Sequence, residues 1–273
     1  MAKVSIFIRT YKRDVAWLDF CLQSIHQNLH GWDEIVVAVP EGQESHLRYL
    51  GDERRVSTSY FREDYLGQQV AKLQAHRHVE SDYVFLVDSD VVFLPGAHVS
   101  DYFDGGRPRI LTKAWPASFS AHPPPAARDV SLTRKLAIER LLGAQMPFSF
   151  MQGHGARLFR RSTFAALEQR LPHIEEHTRG ITRKEFSEFE LLGLFTFLTE
   201  QEQYSFVDAD RVAAGTYHTR QFWTVDGITK DAEEELAALG FKRRWLSTLS
   251  PVDRAKAWLS QTTRAVKRRL KGS

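Results

Sequence analysis

The sequence predicts an α/β protein whose mostly parallel central sheet carries helices on both faces. Over the first 95 residues, strand-like apolar runs alternate with segments of helical periodicity, which is typical of a parallel, doubly wound sheet. The run Tyr83–Val87 is continuously apolar, as expected for a strand that is buried on both faces. Polar residues follow three of the predicted strands, and ligands bind beyond the carboxyl ends of strands in such sheets.

Local patterns define the individual elements. Strands are predicted where β-branched and aromatic residues cluster between turn residues, and helices where apolar residues recur every three or four positions. The first half then contains strands over 4–8, 34–39, 55–59 and 83–87, and helices over 17–29, 43–50 and 67–79. The second half is predicted to contain strands over 110–112, 153–159 and 206–208, a proline-rich loop over 114–129, and helices over 132–142, 162–171, 187–198, 230–239 and 251–271.

Composition limits the class of protein. The chain has 273 residues, of which 42% are hydrophobic and 26% charged, as in an ordinary globular domain. Cys21 is the only cysteine, so neither an intramolecular disulfide nor a cysteine zinc site is expected. No apolar run reaches the ~20 residues of a membrane span, and the first residues predict a strand instead of a signal peptide. These features predict a cytoplasmic protein, in contact with at most the inner face of a membrane.

Positive charge is concentrated at the C-terminus. Residues 252–273 include seven basic residues and one acidic residue, so the rest of the chain is mildly acidic although the net charge is +3. Apolar residues between these charges predict a basic amphipathic helix over 249–273. This pattern is typical of contact with an anionic membrane surface or with nucleic acid. A solvated terminal helix without a partner would have the same pattern.

Two carboxylates follow the fourth predicted strand directly. Asp88 and Asp90 are two residues apart, so both side chains can reach one divalent cation. Carboxylate oxygens suit Mg²⁺ or Mn²⁺, which usually also bind substrate phosphates. The alternative is an ordinary turn at a strand end, where Asp and Ser are common. The position after a buried strand of the predicted parallel sheet favours a metal site.

The segment Val84–Phe93, which contains both aspartates, resembles the Asp-x-Asp segment of glycosyltransferases with the glycosyltransferase A fold. The segment Val4–Arg13 is similar to the opening strand and nucleotide loop of the family 2-like members. The likeness extends over residues 3–95. It implies a Rossmann-like fold and a nucleoside-diphosphate sugar as the sugar donor, with UDP as the expected nucleotide. It also implies Mn²⁺ or Mg²⁺ as the cofactor, held by Asp88 and Asp90.

The resemblance also implies a division of the chain. Residues 1–248 would form one catalytic domain, and residues 249–273 would follow it as the basic helix. Within the domain, residues 1–95 would bind the sugar donor and residues 96–248 would bind the acceptor.

Roles in nucleotide binding follow from the same resemblance. Thr10 and Tyr11 would line the nucleoside pocket, and Arg13 would contact a phosphate unless it is a solvated loop charge. Glu41 would lie near the base or the ribose, where family members often have Asp, and Ser89 would lie against the ribose.

A helix before the Asp-x-Asp strand offers two more polar residues. Gln69 and Lys72 are three positions apart and therefore share one helix face, which can approach the sugar donor. Lys72 would bind the diphosphate as a point charge. The alternative is an ordinary amphipathic helix whose polar residues face solvent.

The acceptor half must supply any catalytic base. Ser187 is a natural N-cap, which places Glu188 and Glu190 in the first turn of a helix, where the helix dipole stabilises negative charge. Inverting glycosyltransferases of this fold often carry their base at a comparable helix start. Glu188 is therefore the first candidate for the base, Glu190 the second, and inversion the expected stereochemistry. Simple capping of the helix would need the same residues.

A third metal ligand is implied near the end of the domain. In this fold a late histidine often completes the metal site, and His218 follows a late predicted strand. Imidazole is an acceptable ligand for Mn²⁺. A purely structural histidine is the alternative.

Together these features predict transfer of a sugar to a hydroxyl group of a glycan, glycolipid or polymer. A nucleotidyltransferase on a similar fold is one alternative, although the loop after the first strand lacks the glycines typical of that class. A sugar transferase that acts on nucleic acid is another. A non-enzymatic module that binds nucleic acid or a membrane through its basic tail is the third.

Overall fold

The computed structural model describes residues 2–47, 50–115, 125–153, 155–222 and 228–244. The predicted basic helix over 249–273 and the centre of the predicted 114–129 loop lie outside these residues. No helix within the described part of the chain is long and apolar enough to cross a bilayer.

The helices and strands are numbered in chain order. The helices are α1 (Val15–Asn28), α2 (Asp64–Leu73), α3 (Pro125–Leu142), α4 (Arg161–Arg170), α5 (Ile174–Arg179), α6 (Glu188–Thr199) and α7 (Lys230–Ala238). The strands are β1 (Val4–Arg9), β2 (Leu29–His30), β3 (Glu34–Pro40), β4 (Arg54–Thr58), β5 (Tyr83–Asp88), β6 (Val91–Phe93), β7 (Ala97–His98), β8 (Phe103–Asp104), β9 (Arg107–Ala114), β10 (Phe148–Ser149), β11 (Ala156–Arg160), β12 (Ser205–Asp208) and β13 (Thr219–Gln221).

The largest sheet has five strands in the order β11-β5-β1-β3-β4. Strands β1, β3, β4 and β5 are parallel, and β11 joins β5 in the antiparallel direction. The prediction of a mostly parallel central sheet is therefore confirmed. The predicted strand over 153–159 does form, as β11.

Helices cover both faces of this sheet. On one face, Phe7, Val36 and Leu86 pack in a core with Leu66 and Val70 of α2, to which α4 and α6 also contribute. On the other face lies a second core, in which Ile6, Ile8 and Val37 pack with Leu18 and Leu22 of α1. Burial of each large aliphatic side chain contributes roughly 1.5–3 kcal/mol, so the two cores hold the strand ends rigidly in place.

The direction of winding reverses between β1 and β5. The chain passes from β1 to β3 through α1 on one face, and reaches β5 through α2 on the other face. The carboxyl ends of β1 and β5 therefore open a crevice, which is the usual ligand site in open parallel sheets. Arg9 and Asp88 are paired directly at this place.

Shorter strands complete the second half. Strands β10, β9 and β12 form one sheet, and β13 pairs with β6 in the antiparallel direction. This pairing sets Gln221 opposite Val91, immediately beside the Asp88–Asp90 turn. The sequence pattern predicts no strand at 219–221, because three residues are too few to show a period.

Candidate functional site

Lys72 lies at the centre of the crevice. Its ammonium donates hydrogen bonds to Asp88 Oδ1 and, at 2.8 Å, to Glu188 Oε1. Only 2% of Lys72 is exposed, and its Nζ lies 4.7 Å from the centre of the Phe189 ring. Burial by itself would lower the pKa of Lys72, but the charges and hydrogen bonds of Asp88 and Glu188 outweigh burial and raise that pKa. The structure thus joins three predicted site residues from α2, β5 and α6.

This position changes the role predicted for Lys72. The ammonium faces two carboxylates instead of open space, so a diphosphate could reach it only by displacing one of them. We therefore regard Lys72 as the internal counter-ion of Asp88 and Glu188.

Gln69 supports the same arrangement from one turn earlier in α2. Its Oε1 accepts a hydrogen bond of 3.2 Å from the backbone N–H of Glu188, one of the N–H groups left without a helical partner at the start of α6. Ser187 caps the same helix by accepting from the N–H of Glu190, which confirms its predicted N-cap position. Gln69 and Lys72 together determine where Glu188 lies.

Asp88 and Asp90 converge on a single amide. The Nε2 of Gln221 lies 3.4 Å from Asp88 Oδ2 and 3.1 Å from Asp90 Oδ1. Burial, followed by the negative charge of Asp88, raises the pKa of Asp90 to about 7. One point in space is therefore within reach of both carboxylates, and a positive charge there would relieve their repulsion.

These carboxylates fit a divalent cation such as Mg²⁺ or Mn²⁺. Such ions are commonly held by one or two carboxylates, with water and substrate phosphates completing the coordination. The described residues contain no cluster of three or more His, Cys, Asp or Glu side chains that could hold a metal by themselves. The phosphates of a bound substrate would have to supply the other ligands.

Gly155 closes the site behind Asp88. Its carbonyl accepts from the N–H of Asp88 at 2.7 Å, and its own N–H donates to Gln221 Oε1 at 2.8 Å. A Cβ atom at this position would lie 2.1 Å from Asp88 Oδ2 and 2.8 Å from Gln221 Nε2. Only glycine leaves room for the Asp88 carboxylate. The contact between Gly155 and Asp88 arises from the pairing of β11 with β5, so the sequence alone does not reveal why a glycine is needed at this position.

Glu190 is occupied by structural contacts. Its Oε1 accepts from Ser149 Oγ at 2.8 Å, and its Oε2 accepts from the N–H of Phe150 at 2.7 Å. Burial raises the pKa of Glu190 even though both hydrogen bonds oppose the shift. Both oxygens thus anchor the 149–150 segment to α6, an arrangement that does not favour Glu190 as the second candidate for the base.

Replacement of Glu190 by glutamine is expected to destabilise the fold. The amide nitrogen of glutamine cannot accept from Ser149 or Phe150, so one buried donor loses its partner at a cost of about 1–3 kcal/mol. Urea unfolding measures this loss. Glu202→Gln, at an exposed position, is the matched control and should leave the free energy of unfolding unchanged. Equal effects of the two substitutions on this free energy would contradict a structural role for Glu190.

The predicted nucleoside residues extend from the crevice along the sheet. Thr10 is buried, with its N–H bound to Ala38 O, and Ser89 is buried beside the two aspartates. Tyr11 is half-buried, and burial raises its pKa to about 12. Arg13 and Glu41 are exposed. Glu41 follows β3, two strands away from Asp88, which corresponds to ~10 Å across the sheet.

Arg9 holds the end of β1 in place. Its buried guanidinium pairs with Asp64 Oδ1 at 2.7 Å and donates to Thr10 O at 2.8 Å. Burial lowers the pKa of Arg9, against the charge of Asp64. The pair ties the end of β1 to the start of α2, which carries Lys72.

His218 lies away from the two aspartates. Its carbonyl accepts from the N–H of Leu94 at 2.7 Å, and its ring faces Gly96. Three residues of extended chain, ~10 Å, separate it from Gln221, which occupies the place beside Asp90. The structure therefore does not support His218 as a metal ligand. The antiparallel pairing of β13 with β6 directs His218 to the opposite end of β6.

We expect the affinity for Mn²⁺ to increase with pH up to about 7. Because the pKa of Asp90 is raised to about 7, the carboxyl group is protonated below that value, and the proton competes with the cation. The apparent affinity should then fall by up to about tenfold for each pH unit below 7. Calorimetric titration with Mn²⁺ across this range measures the effect. The Asp90→Asn variant should bind weakly at every pH, and a flat profile for the wild type would contradict the expectation.

No protein-family model matches the chain, and no curated protein shows significant similarity to it. Function therefore has to be inferred from the geometry and the chemistry of the site.

Proposed function

We propose that this protein is a metal-dependent glycosyltransferase with the glycosyltransferase A type of fold, which transfers a sugar from a nucleoside diphosphate to an acceptor hydroxyl. The main support is the junction of Asp88, Lys72 and Glu188 in the crevice between β1 and β5. A plain turn at a strand end would not need a buried lysine that links it to the start of a distant helix.

The sugar donor would bind along the carboxyl ends of the strands. Thr10 and Tyr11 lie at the end of β1 and would contact the nucleoside, while Asp88 and Asp90 would hold Mn²⁺ or Mg²⁺. The cation would supply neutralisation of the negative charge that develops on the leaving diphosphate. The paired ends of β1 and β5 hold the two parts of this binding surface next to each other.

Glu188 is suited to act as the base. Its Oε1 is fixed by Lys72 and its N–H by Gln69, so the carboxylate has one orientation. Glu188 is 5% exposed, and its Oε2 has no hydrogen-bond partner among the described residues. This oxygen would accept the proton of the acceptor hydroxyl as that hydroxyl attacks the anomeric carbon. An attack from the side opposite the diphosphate would invert the anomeric centre.

The test is binding of nucleotides followed by transfer. UDP with Mn²⁺, at about a hundred times its Kd, should stabilise the fold by about 2.7 kcal/mol and raise Tm by several degrees. Asp90→Asn should lose this shift, and Glu188→Gln should keep the shift but lose transfer in a screen of nucleotide sugars. Asp52→Asn is the matched control, because Asp52 is exposed and precedes β4, at the edge of the sheet opposite the carboxyl strand ends. Absence of a shift with every nucleoside diphosphate, with and without Mn²⁺, would reject the proposal.

A further inference from the structure

A second cation, Arg157, lies close to Glu188. Arg157 is on β11, where its guanidinium stacks 3.9 Å from the centre of the Phe189 ring and donates to Gln152 O at 2.7 Å. Among the described residues, no carboxylate lies within ion-pair distance of it. Burial lowers the pKa of Arg157 and outweighs the more distant attraction of Asp88, Glu188 and other acidic groups. The charge of Arg157 is therefore incompletely balanced.

Arg157 opens into a cleft, which we call the arginine cleft. The cleft is narrow, with a cavity volume of about 20 Å³, which is room for roughly one water molecule. The space measures about 470 Å³ only when the open mouth and the adjoining solvent are included. Polar groups on its wall come from Tyr102, Arg109, Gln152, Arg157, Tyr217 and Thr219. Arg157 uses one of its five N–H groups on Gln152, and the others have no acceptor within the described part of the chain. Arg157 is partly exposed, so these groups can bind an anion at the cleft.

The position of the cleft separates it from the sugar-donor site. Arg157 pairs with Leu86, two residues before Asp88 on β5, and so lies ~7 Å back from the carboxyl end of the strand. The five other polar residues of the arginine cleft also belong to the 96–248 half of the chain. An anion held here would therefore belong to the acceptor and not to the diphosphate of the sugar donor.

Arg134 of α3 adds a second positive charge, which has no carboxylate in contact among the described residues. Its Nε is buried without a partner among the described residues, and its Nη2 contacts only the carbonyl of Arg183, at 3.4 Å. The charges of Arg134 and Arg157 both act on the carboxyl group of Glu190, so both arginines lie near the first turn of α6.

We propose that the acceptor carries an oxyanion, either a phosphate or a carboxylate, which Arg157 binds in the arginine cleft while Glu188 receives the proton of the acceptor hydroxyl. A planar guanidinium with free N–H groups binds such anions through two parallel hydrogen bonds. The positive charge of Arg134 strengthens the attraction of the oxyanion, while Arg157 makes the direct contact with it. This inference rests on the proposed transferase function, since it assigns the charge of the acceptor.

The experiment uses phenyl phosphate as the anionic probe and phenyl β-glucoside as its neutral counterpart. Both are titrated calorimetrically into the full chain with saturating UDP and Mg²⁺, which block the sugar-donor site. Wild type should bind phenyl phosphate and not the glucoside. Arg157→Gln should weaken this binding at least tenfold, and Arg134→Gln about threefold. Arg140→Gln, an exposed position on the same helix as Arg134, should leave it unchanged.

A second variant and a measurement of UDP binding distinguish loss of the anion site from misfolding or loss of the sugar-donor site. Arg157→Lys retains the positive charge and should fold even where Arg157→Gln does not. A lysine ammonium cannot form two parallel hydrogen bonds with an anion, so this variant should also bind phenyl phosphate more weakly than the wild type. UDP binding is recorded in the same samples. Normal UDP binding with no binding of phenyl phosphate, or with equal binding by wild type and both Arg157 variants, would overturn this inference and leave the transferase proposal intact. Binding of phenyl phosphate that depends on Arg157, without UDP binding, would support an anion site and reject the transferase.

Discussion

The Gly155→Ala variant is expected to bind Mn²⁺ at least tenfold more weakly than the wild type, a loss of about 1.4 kcal/mol. The new Cβ would lie 2.1 Å from Asp88 Oδ2, and Gly155 cannot move away because hydrogen bonds hold both its N–H and its carbonyl. The Asp88 carboxylate would have to turn out of the position that it shares with Asp90. Calorimetric titration with Mn²⁺, with and without UDP, measures the loss.

Gly51→Ala is the matched control for this change. A Cβ at Gly51 would have Glu53 Oε2 as its nearest neighbour, at an ordinary contact distance of 3.8 Å, so neither affinity nor stability should change much. If Gly155→Ala bound Mn²⁺ as tightly as Gly51→Ala, the carboxylate of Asp88 would not be part of the cation site.

The Lys72→Met variant is expected to lose about 3–5 kcal/mol of unfolding free energy. Methionine fills a similar volume but leaves Asp88 and Glu188 without their shared counter-ion, and Glu188 is only 5% exposed. Removal of one partner from a buried ion pair leaves an uncompensated charge, which costs far more than the net contribution of the pair. Chemical denaturation at neutral pH measures this loss.

Lys230→Met is the comparison for a surface lysine. Lys230 pairs with Glu234 across one turn of α7 at 3.4 Å, but its side chain is 87% exposed, so its loss should change stability by no more than about 0.5 kcal/mol. A loss below about 1 kcal/mol for Lys72→Met would show that the three charges are not coupled in solution.

Local sequence patterns were sufficient for much of the fold. The parallel strands β1, β3 and β5 are long apolar runs between turn residues, and α1 has a regular apolar spacing, so their types and most of their bounds could be predicted. Helix α3 begins at Pro125, well before the predicted start at 132, because a proline-rich segment resembles a loop although proline is tolerated in the first turn of a helix. The short strands β10 and β13 form through distant pairing that no local pattern reveals.

The site residues also divide into those that local sequence patterns reveal and those that depend on pairing between distant segments. Asp88, Asp90 and Glu188 could be predicted because they stand at a strand end or a helix start, where polar groups have known uses. Gln221 could not be predicted, since it is 131 residues away from Asp90 and its role depends on the pairing of two three-residue strands. Arg157 could not be predicted either, because a single arginine within a strand pattern gives no sign of which carboxylates lie near it in the fold.

The antiparallel attachment of β11 to β5 has a practical consequence for work on separate halves of the chain. A fragment that ended before Ala156 would expose those backbone N–H and C=O groups of β5 that pair with β11, along a strand that is almost entirely apolar. Unpaired apolar strands at the border of a sheet recruit strands from other molecules and promote aggregation. The same fragment would lack Glu188 and so leave Lys72 with half of its counter-charge. The proposed binding of a nucleotide by residues 1–95 is therefore best tested in the chain of 273 residues.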